Sequence, residues 1–278
     1  MTVIQSIILA IIEGLTEFLP VSSTGHLILA EGIMGIPSDS YTKAFTVIIQ
    51  LGAMLSVLVL YWHRFVDFRP LEGIGSPILR FLSRFRFYGL LAMGVLPAGV
   101  FGILFEHYID TLLGSVLVVA MMLLLGGVLM LFVDKIFASS SNTQIKPRNA
   151  VAIGLYQCLA MVPGVSRSMA TIVGGMQQGL NRKTAAEFSF FLALPTMFGA
   201  TLLKVYKLYK EGGTAIFVEH LDTLLIGNVV AFLVALLAIK GFVSYLSKAG
   251  FSVFGYYRIV VGLLILSLLI CGVDLNLQ

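Results

Sequence analysis

Long apolar runs separated by short polar segments dominate the pattern along this chain. Six of these runs are close to twenty residues long, which is the length an α-helix needs to cross the apolar part of a bilayer. They are continuous and not alternating ten-residue segments, which favours helices over a transmembrane β-barrel. The pattern predicts an all-α polytopic membrane protein with six full spans. The predicted spans are 44–62, 87–105, 112–133, 187–206, 224–247 and 254–273.

Two further apolar stretches are interrupted by polar residues. Residues 3–19 stop at Pro20 and are followed by residues 27–36, which at about 1.5 Å per residue reach only about half the thickness of a bilayer. Residues 150–162 are broken in the same way by the sequence PGVSRS, and the short stretch Met169–Leu180 follows. Irregular backbone at membrane depth is tolerated where it lines a cavity in the protein. Each half is therefore predicted to begin with a re-entrant helix hairpin.

The two halves look like an internal repeat. Pro163 follows Pro20 by 143 positions (163 − 20), and Phe188 follows Phe45 by the same offset. Since a hairpin returns to its own side and three spans then cross, the second half starts on the opposite face and the repeat is inverted. Interrupted helices at matching positions of inverted repeats mark a site near the bilayer midplane. The predicted organisation is one membrane domain, 1–278, with repeat halves 1–133 and 150–278 and a flexible linker, 134–149, that contains SSSNT.

Composition and charge agree with a membrane protein. The chain is 58% hydrophobic and 12% charged, with a mean hydropathy of +0.99, whereas a soluble domain has about 25% charged residues. The net charge of +4 does not indicate a nucleic-acid partner, because basic residues of membrane proteins gather in cytoplasmic loops. One side collects Arg64, Arg69, Arg80, Arg84, Arg86, Lys135, Lys146, Arg148, Arg182, Lys183 and Lys248. This side is predicted to be cytoplasmic, so both termini lie outside, and Lys240 and Arg258, near the cytoplasmic ends of spans, are expected to snorkel.

Three ionisable side chains lie within the interrupted apolar stretches. A buried charge in a membrane costs roughly 3 kcal/mol or more on insertion scales, so Glu13, Glu17 and Arg167 are functional candidates. The two glutamates are four residues apart and share one face of a helix. They could hold a divalent cation, Mg²⁺ or Ca²⁺, or one of them could be a general base. The alternative is a structural Glu–Arg pair that holds the hairpins together.

Hydroxyl side chains follow both prolines where helices are predicted to start. The free N–H groups and the dipole at a helix N-terminus attract an anion. Two such termini that meet at mid-membrane beside an arginine would form a phosphate site, whereas serines that only cap helices are the simpler alternative. The candidate phosphate-binding residues are Ser22, Thr24, Ser166, Ser168, Thr171 and Arg167.

A histidine completes the first polar cluster. His26 lies three residues after Ser23, about one helical turn away, and could accept a proton from Ser23 or from water, or donate one to a leaving group. Gln50, inside a predicted span, could line the same pocket or bond a neighbouring helix. The candidate catalytic residues are Glu13, Glu17, Ser23, His26 and Arg167.

At EGLTEFLPVSSTGH and at PGVSRS, with a threonine three residues further on, the chain resembles the undecaprenyl-diphosphate phosphatase family of the bacitracin-resistance type. The segments QCLAMVPGVSRSMATI and EFSFFLALPTMFGAT are also similar to that family, so the resemblance covers nearly the whole length. Met169 departs from the small residue expected at its position. The resemblance implies that Glu13, Glu17, Ser23, His26 and Arg167 are the functional positions and that Ser22, Thr24, Ser166 and Thr171 contact phosphate.

The resemblance also implies the reaction. Members of the family remove the terminal phosphate of undecaprenyl diphosphate at the outer face of the bacterial plasma membrane, which recycles the lipid carrier for peptidoglycan synthesis and confers bacitracin resistance. The expected partners are this polyprenyl lipid and membrane lipids, and a homodimer is a further expectation. Ser23, activated by His26 or Glu17, could attack the terminal phosphorus, or water could attack while Ser23 orients the phosphate. A transporter or flippase for an anion or a polyprenyl phosphate is the main alternative.

Overall fold

The structure is a computed structural model that describes residues 1–37, 39–70, 76–105, 108, 112, 115–137, 140–246, 248–273 and 275. Regular structure in these ranges is entirely helical. The helices discussed below are α1 (Val3–Thr16), α2 (Ser23–Ile33), α3 (Ser40–Leu60), α4 (Trp62–Phe65), α5 (Pro77–Ser83), α6 (Arg86–Leu104), α7 (Val116–Ile136), α8 (Pro147–Leu159), α9 (Arg167–Gln177), α10 (Arg182–Gly212), α11 (Ala215–Glu219), α12 (Leu221–Leu246) and α13 (Ser252–Ile270).

Six of these helices, α3, α6, α7, α10, α12 and α13, are long and apolar enough to cross a membrane. Each overlaps one predicted span, so the prediction of an all-α protein with six spans is confirmed. The largest difference in length is at α10, which begins at Arg182 and not near residue 187. Its N-cap, Asn181, accepts a hydrogen bond from the Thr184 amide at 2.7 Å, which starts the helix one turn before its apolar stretch.

The two interrupted stretches fold as the helix pairs α1–α2 and α8–α9. A capping box between Thr2 and Gln5 starts α1, and Pro147 starts α8 at a position where its missing N–H is not needed. With 14 and 13 residues, α1 and α8 are each only about 20 Å long at about 1.5 Å per residue. Neither helix is long enough to cross the apolar part of a bilayer.

Polar contacts between helix ends fasten one end of the bundle. Asp134 of α7 pairs with Arg182 of α10 at 2.7 Å and accepts a hydrogen bond from the Phe251 amide at 2.6 Å. Arg86, at the start of α6, donates to the carbonyl of Ile145 at 2.9 Å. The end of the linker that leads into α8 is therefore held against the bundle and does not hang free.

The beginnings of α1, α3 and α12 meet at the other end. The Ser6 hydroxyl donates to the Thr223 carbonyl at 2.9 Å, and the Tyr41 and Thr223 hydroxyls are 2.6 Å apart. The chain of α3 runs from here to the opposite end, where Phe65 packs against Phe87 at the start of α6. As a result, α1 and α8 start at opposite ends of the bundle.

Close helix packing places the C-terminal ends of α1 and α8 in the interior. α1 packs along α12, and α8 packs along α6. A Cβ atom at Gly14 would lie 2.8 Å from the Ala231 carbonyl oxygen, and one at Gly154 would lie 2.3 Å from the Gly94 carbonyl oxygen. Small residues that let helix backbones approach closely are typical of membrane interfaces.

Candidate active site

The polar break that follows α1 and the break that follows α8 meet in the interior of the bundle. The Ser168 hydroxyl, at the start of α9, donates to the Leu19 carbonyl at 2.7 Å. The guanidinium of Arg258 donates to the carbonyl of Pro20 at 3.2 Å and to that of Gly164 at 2.8 Å. One cation on α13 therefore joins both breaks.

The expectation that Arg258 snorkels to the membrane surface is wrong. Its side chain is 0% exposed, and it also donates to the carbonyls of Met122 at 3.0 Å and Leu123 at 3.4 Å on α7. Gly126 provides the space, since a Cβ atom there would lie 2.3 Å from Nη2 of Arg258. The physical reason is that the breaks leave carbonyl groups without helical partners, and inside a membrane such groups need a donor from the protein.

The N-cap residues of α2 and α9 are serines with positive φ. Ser22 has φ +70° and Ser166 has φ +75°, and they are the only non-glycine residues with positive φ in the described part of the chain. Such backbone is uncommon outside glycine and tends to occur at functional sites. Ser166 accepts a hydrogen bond from the Met169 amide at 3.3 Å, whereas the Ser22 side chain makes no capping hydrogen bond. The N-terminal amides of α2 are thus left without a side-chain cap.

Glu17 lies at the centre of the polar contacts between the two breaks. The Ser23 hydroxyl donates to its Oε2 at 2.8 Å, and Nη2 of Arg167 donates to its Oε1 at 3.1 Å. The side chains of Glu17 and Arg167 are 6% and 10% exposed, so the pair is shielded from solvent. One carboxylate therefore contacts both the hydroxyl that is a candidate nucleophile and the arginine that is a candidate phosphate ligand.

The remaining hydroxyls of the second break hold Arg167 in place. The Thr171 hydroxyl donates to the Arg167 carbonyl at 2.7 Å and lies 2.6 Å from the Ser189 hydroxyl. Nη1 of Arg167 donates to the Ser189 carbonyl at 3.0 Å. Ser166 and Ser168 are joined through their hydroxyls at 3.0 Å.

A polar cavity of about 340 Å³ lies between the two breaks. Its lining residues are Glu17, Ser22, Ser23, Thr24, Gln50, Ala98, Gln157, Ala160, Met161, Pro163, Gly164, Ser166, Arg167, Thr196, Met197 and Ala200. Of the two roles that the sequence allowed for Gln50, the structure supports the lining of this pocket. Sequence reasoning missed Gln157, whose side-chain amide donates to the Thr196 hydroxyl at 3.1 Å. The signal was present, since Gln157 is an isolated amide within an apolar stretch, as Gln50 is.

Several buried polar atoms near the two breaks have no hydrogen-bond partner within the described residues. They are both carboxylate oxygens of Glu13, Oε1 of Gln50, Oε1 of Gln157 and Nε of Arg167. Glu13 is 0% exposed and lies one helical turn before Glu17. An unpaired carboxylate is costly inside a membrane protein, and unpaired acceptors together with an unpaired guanidinium N–H suit a ligand that combines a cation with an anion.

His26 is not among the residues that line the polar cavity. Its Nδ1 lies 2.8 Å from the Ser22 carbonyl and its Nε2 lies 2.7 Å from the Tyr257 hydroxyl. Because a carbonyl can only accept, Nδ1 carries the proton, and in the neutral ring Nε2 accepts from Tyr257. The structure therefore brings Ser23 to Glu17 and places His26 against the backbone that precedes Ser23.

Comparisons with known proteins find relatives over nearly the whole chain. The family model described as bacitracin resistance protein BacA matches residues 6–264. The chain is 61% identical to an undecaprenyl-diphosphatase of Porphyromonas gingivalis over 281 residues, which cover 99% of each chain. It is 56% identical to an undecaprenyl-diphosphatase of Flavobacterium psychrophilum (96% of this chain and 95% of the relative) and 48% identical to one of Bdellovibrio bacteriovorus (100% of each).

Proposed function

Because the chain belongs to the bacitracin resistance protein BacA family, we propose that it is an undecaprenyl-diphosphatase of the bacterial inner membrane. It hydrolyses undecaprenyl diphosphate to undecaprenyl phosphate and inorganic phosphate, which returns the lipid carrier to peptidoglycan synthesis and confers resistance to bacitracin. The relatives that match almost the full length of the chain are named undecaprenyl-diphosphatase. The observation in the structure that supports it is the contact of Glu17 with both Ser23 and Arg167.

The architecture we infer is an inverted repeat in which α1–α2 and α8–α9 are re-entrant hairpins. Three observations support it. α1 and α8 start at opposite ends of the bundle, and the breaks that follow them both bond to Arg258. The packing of α1 on α12 has its counterpart in the packing of α8 on α6. The two serines with positive φ, Ser22 and Ser166, start the equivalent helices α2 and α9.

The orientation follows from the basic residues. Arg86 and Arg182 lie at the end of the bundle where Asp134 and Ile145 are also found, and the arginine-rich segment after α3 leads to the same end. Positive loops stay in the cytoplasm. Both termini are therefore assigned to the outer face. We assign the entrance of the polar cavity to the same face, because the diphosphate of the lipid carrier is presented there.

The diphosphate binds between the starts of α2 and α9. Arg167 supplies charge-assisted hydrogen bonds to the phosphates. The uncapped amides at the start of α2 stabilise the negative charge of a phosphate placed there. The hydroxyls of Ser22, Thr24 and Ser166 border the same cavity and can donate to phosphate oxygens.

The hydrolysis proceeds by one of two routes. In the first, Ser23 Oγ forms a bond to the terminal phosphorus while the bond to the bridging oxygen breaks. Undecaprenyl phosphate leaves, Glu17 takes the hydroxyl proton, and water then hydrolyses the phosphoserine. In the second, water attacks directly and Ser23 orients the phosphate. In both, Glu17 is the base nearest to Ser23, at 2.8 Å, while His26 holds the Ser22 carbonyl and so the start of α2.

A divalent cation fits the carboxylate pair. Within the described residues no group of three or more acidic, histidine or cysteine side chains is placed to hold a metal. The unpaired oxygens of Glu13 and the neighbouring Glu17 would hold Mg²⁺ or Ca²⁺ together with substrate phosphate oxygens and water. The cation would neutralise negative charge on the phosphates during the reaction. It would also compensate the buried charge of Glu13.

The test is phosphate release from undecaprenyl diphosphate by the purified protein in detergent, with Mg²⁺, with Ca²⁺ and with a chelator. We expect release that depends on the cation and falls by about 10²-fold or more in Ser23→Ala and Arg167→Ala, because each removes a group that acts on the transferred phosphate. Ser267→Ala is the matched control, since the Ser267 hydroxyl bonds only to carbonyls of its own helix. A folded wild type that releases no phosphate, under conditions where a known undecaprenyl-diphosphatase works, would overturn the proposal.

A further inference from the structure

A second, larger cavity of about 1010 Å³ runs along α6. Residues of α3, α6 and α10 line it together with Phe65 of α4, and α10 packs against both α3 and α6. The cavity extends from Tyr88, near the start of α6, to Ile103, near its end. The Tyr88 hydroxyl is turned to the Phe65 carbonyl, and all other lining side chains are apolar. We call this cavity the apolar groove.

The apolar groove lies beside the polar cavity. In α3, Gln50 lines the polar cavity and Leu51 lines the groove; in α6, the same relation holds for Ala98 and Gly99. α10 also contributes adjacent residues to the two cavities. Adjacent residues on a helix point in directions about 100° apart, so all three helices face both cavities. On α3 and α10 the lining changes within one turn from a polar side chain, Gln50 or Thr196, to an apolar one. A molecule with a phosphate head and a long apolar chain matches this change.

We infer that the apolar groove holds the first isoprene units of the substrate's tail while the polar cavity holds the diphosphate. The inference rests on the function proposed above. A tail that moves from lipid into a groove gains little from the hydrophobic effect, because lipid chains are as apolar as the groove. The groove acts through position, since a tail fixed along α6 sets where the terminal phosphorus lies relative to Ser23.

Gly99 offers a way to block the groove without disturbing the fold. A Cβ atom at Gly99 would have no heavy atom within 4 Å, so a larger side chain extends into the groove. A Cβ atom at Gly241, on α12, would also have no heavy atom within 4 Å, and Gly241 does not line the groove. Gly99→Phe and Gly241→Phe are therefore a matched pair that differs in whether the new ring occupies the groove.

The first experiment compares two substrates in detergent: undecaprenyl diphosphate and isopentenyl diphosphate, which has a single isoprene unit. For Gly99→Phe we expect kcat/KM on undecaprenyl diphosphate to fall at least about tenfold, because misplacement of a reacting group by about 1 Å can cost 10²-fold in rate. The rate on isopentenyl diphosphate stays within about twofold of wild type, and Gly241→Phe leaves both rates unchanged. An equal loss on both substrates, or no loss on either, would overturn the inference.

A second readout does not depend on catalysis. Undecaprenyl monophosphate with a photoreactive group on an early isoprene unit is crosslinked to the wild type, and the labelled peptides are identified. We expect label on Leu51, Leu96 or Phe198, which line the groove, and its loss in Gly99→Phe. Label spread equally over α12 and α13, or displaced by an excess of ordinary phospholipid as readily as by undecaprenyl phosphate, would overturn the inference, because the groove would then take bulk lipid. If the wild type is inactive but groove label appears, the hydrolase proposal fails and the binding site stands.

Discussion

Glu17→Gln tests whether the proton of Ser23 goes to the carboxylate it contacts. Glutamine has nearly the same shape, so Ser23 keeps an acceptor oxygen about where Oε2 stands, 2.8 Å away. What is lost is a base and the negative charge that faces Arg167 at 3.1 Å. Loss of a positioned general base lowers rates by about 10²–10⁴-fold, which at about 1.36 kcal/mol per factor of ten is about 2.7–5.4 kcal/mol of transition-state stabilisation.

The two kinetic constants should respond differently. Since Arg167 no longer shares its charge with a carboxylate, it is more available to the diphosphate, so we expect kcat to fall while KM stays the same or decreases. The assay is steady-state phosphate release in detergent at saturating cation. Glu187→Gln, in which the lost carboxylate lies 4.0 Å from Lys183 and outside the polar cavity, is the control and should retain wild-type rates. Near-normal kcat in Glu17→Gln together with a large loss in His26→Gln would refute the reasoning and make His26 the base.

Three further predictions concern the backbone around the site. Arg258→Met leaves the carbonyls of Pro20 and Gly164 without their donor. We expect a loss of about 1–3 kcal/mol for each unsatisfied carbonyl, seen as a lower thermal midpoint in detergent, and an unchanged midpoint would contradict the role given to Arg258. Gly164 has φ +91°, and a Cβ atom there would lie 2.5 Å from the Val119 carbonyl oxygen. Gly164→Ala should therefore lower both the thermal midpoint and the rate of phosphate release, and wild-type values would show that the second break can shift to make room. Ser22→Gly removes a hydroxyl but relieves about 1–3 kcal/mol of backbone strain, so the midpoint should rise or hold while phosphate release falls; full activity would show that the hydroxyl does not contact phosphate.

The spans were predictable from the sequence, and the contacts of the site were only partly so. Continuous apolar runs specify long helices directly, and charged residues inside them identify Glu13, Glu17 and Arg167 as unusual. Spacing alone places Ser23 one turn from His26, and both residues do lie on α2. Spacing does not predict the contact of Ser23 with Glu17. In the structure the break before Ser23 turns the chain back, so that its hydroxyl reaches Glu17. Local periodicity cannot describe a contact that depends on such a turn.

Other parts of the site depend on tertiary contacts across the chain. Arg258 looks like an ordinary arginine near a span end until α7 and both breaks surround it. Tyr257 bonds to His26 over a separation of 231 residues, and no pattern along the sequence pairs them. Gln157 could have been found by treating every amide in an apolar stretch as Gln50 was treated.

The position of Arg258 also limits how the molecule can move. A carrier that exposes its site alternately to the two sides of a membrane must rock one half of the fold against the other, and the contact between the tips of the hairpins must then open and close. Here the buried guanidinium of Arg258 bonds to both polar breaks and to α7 at once. Separation of the two breaks would remove hydrogen bonds from a buried charge, at a cost of several kcal/mol. Arg258 thus holds the two polar breaks together in the interior of the bundle. Under the inverted repeat proposed above, we therefore expect the substrate to enter and leave without movement of one half of the chain against the other.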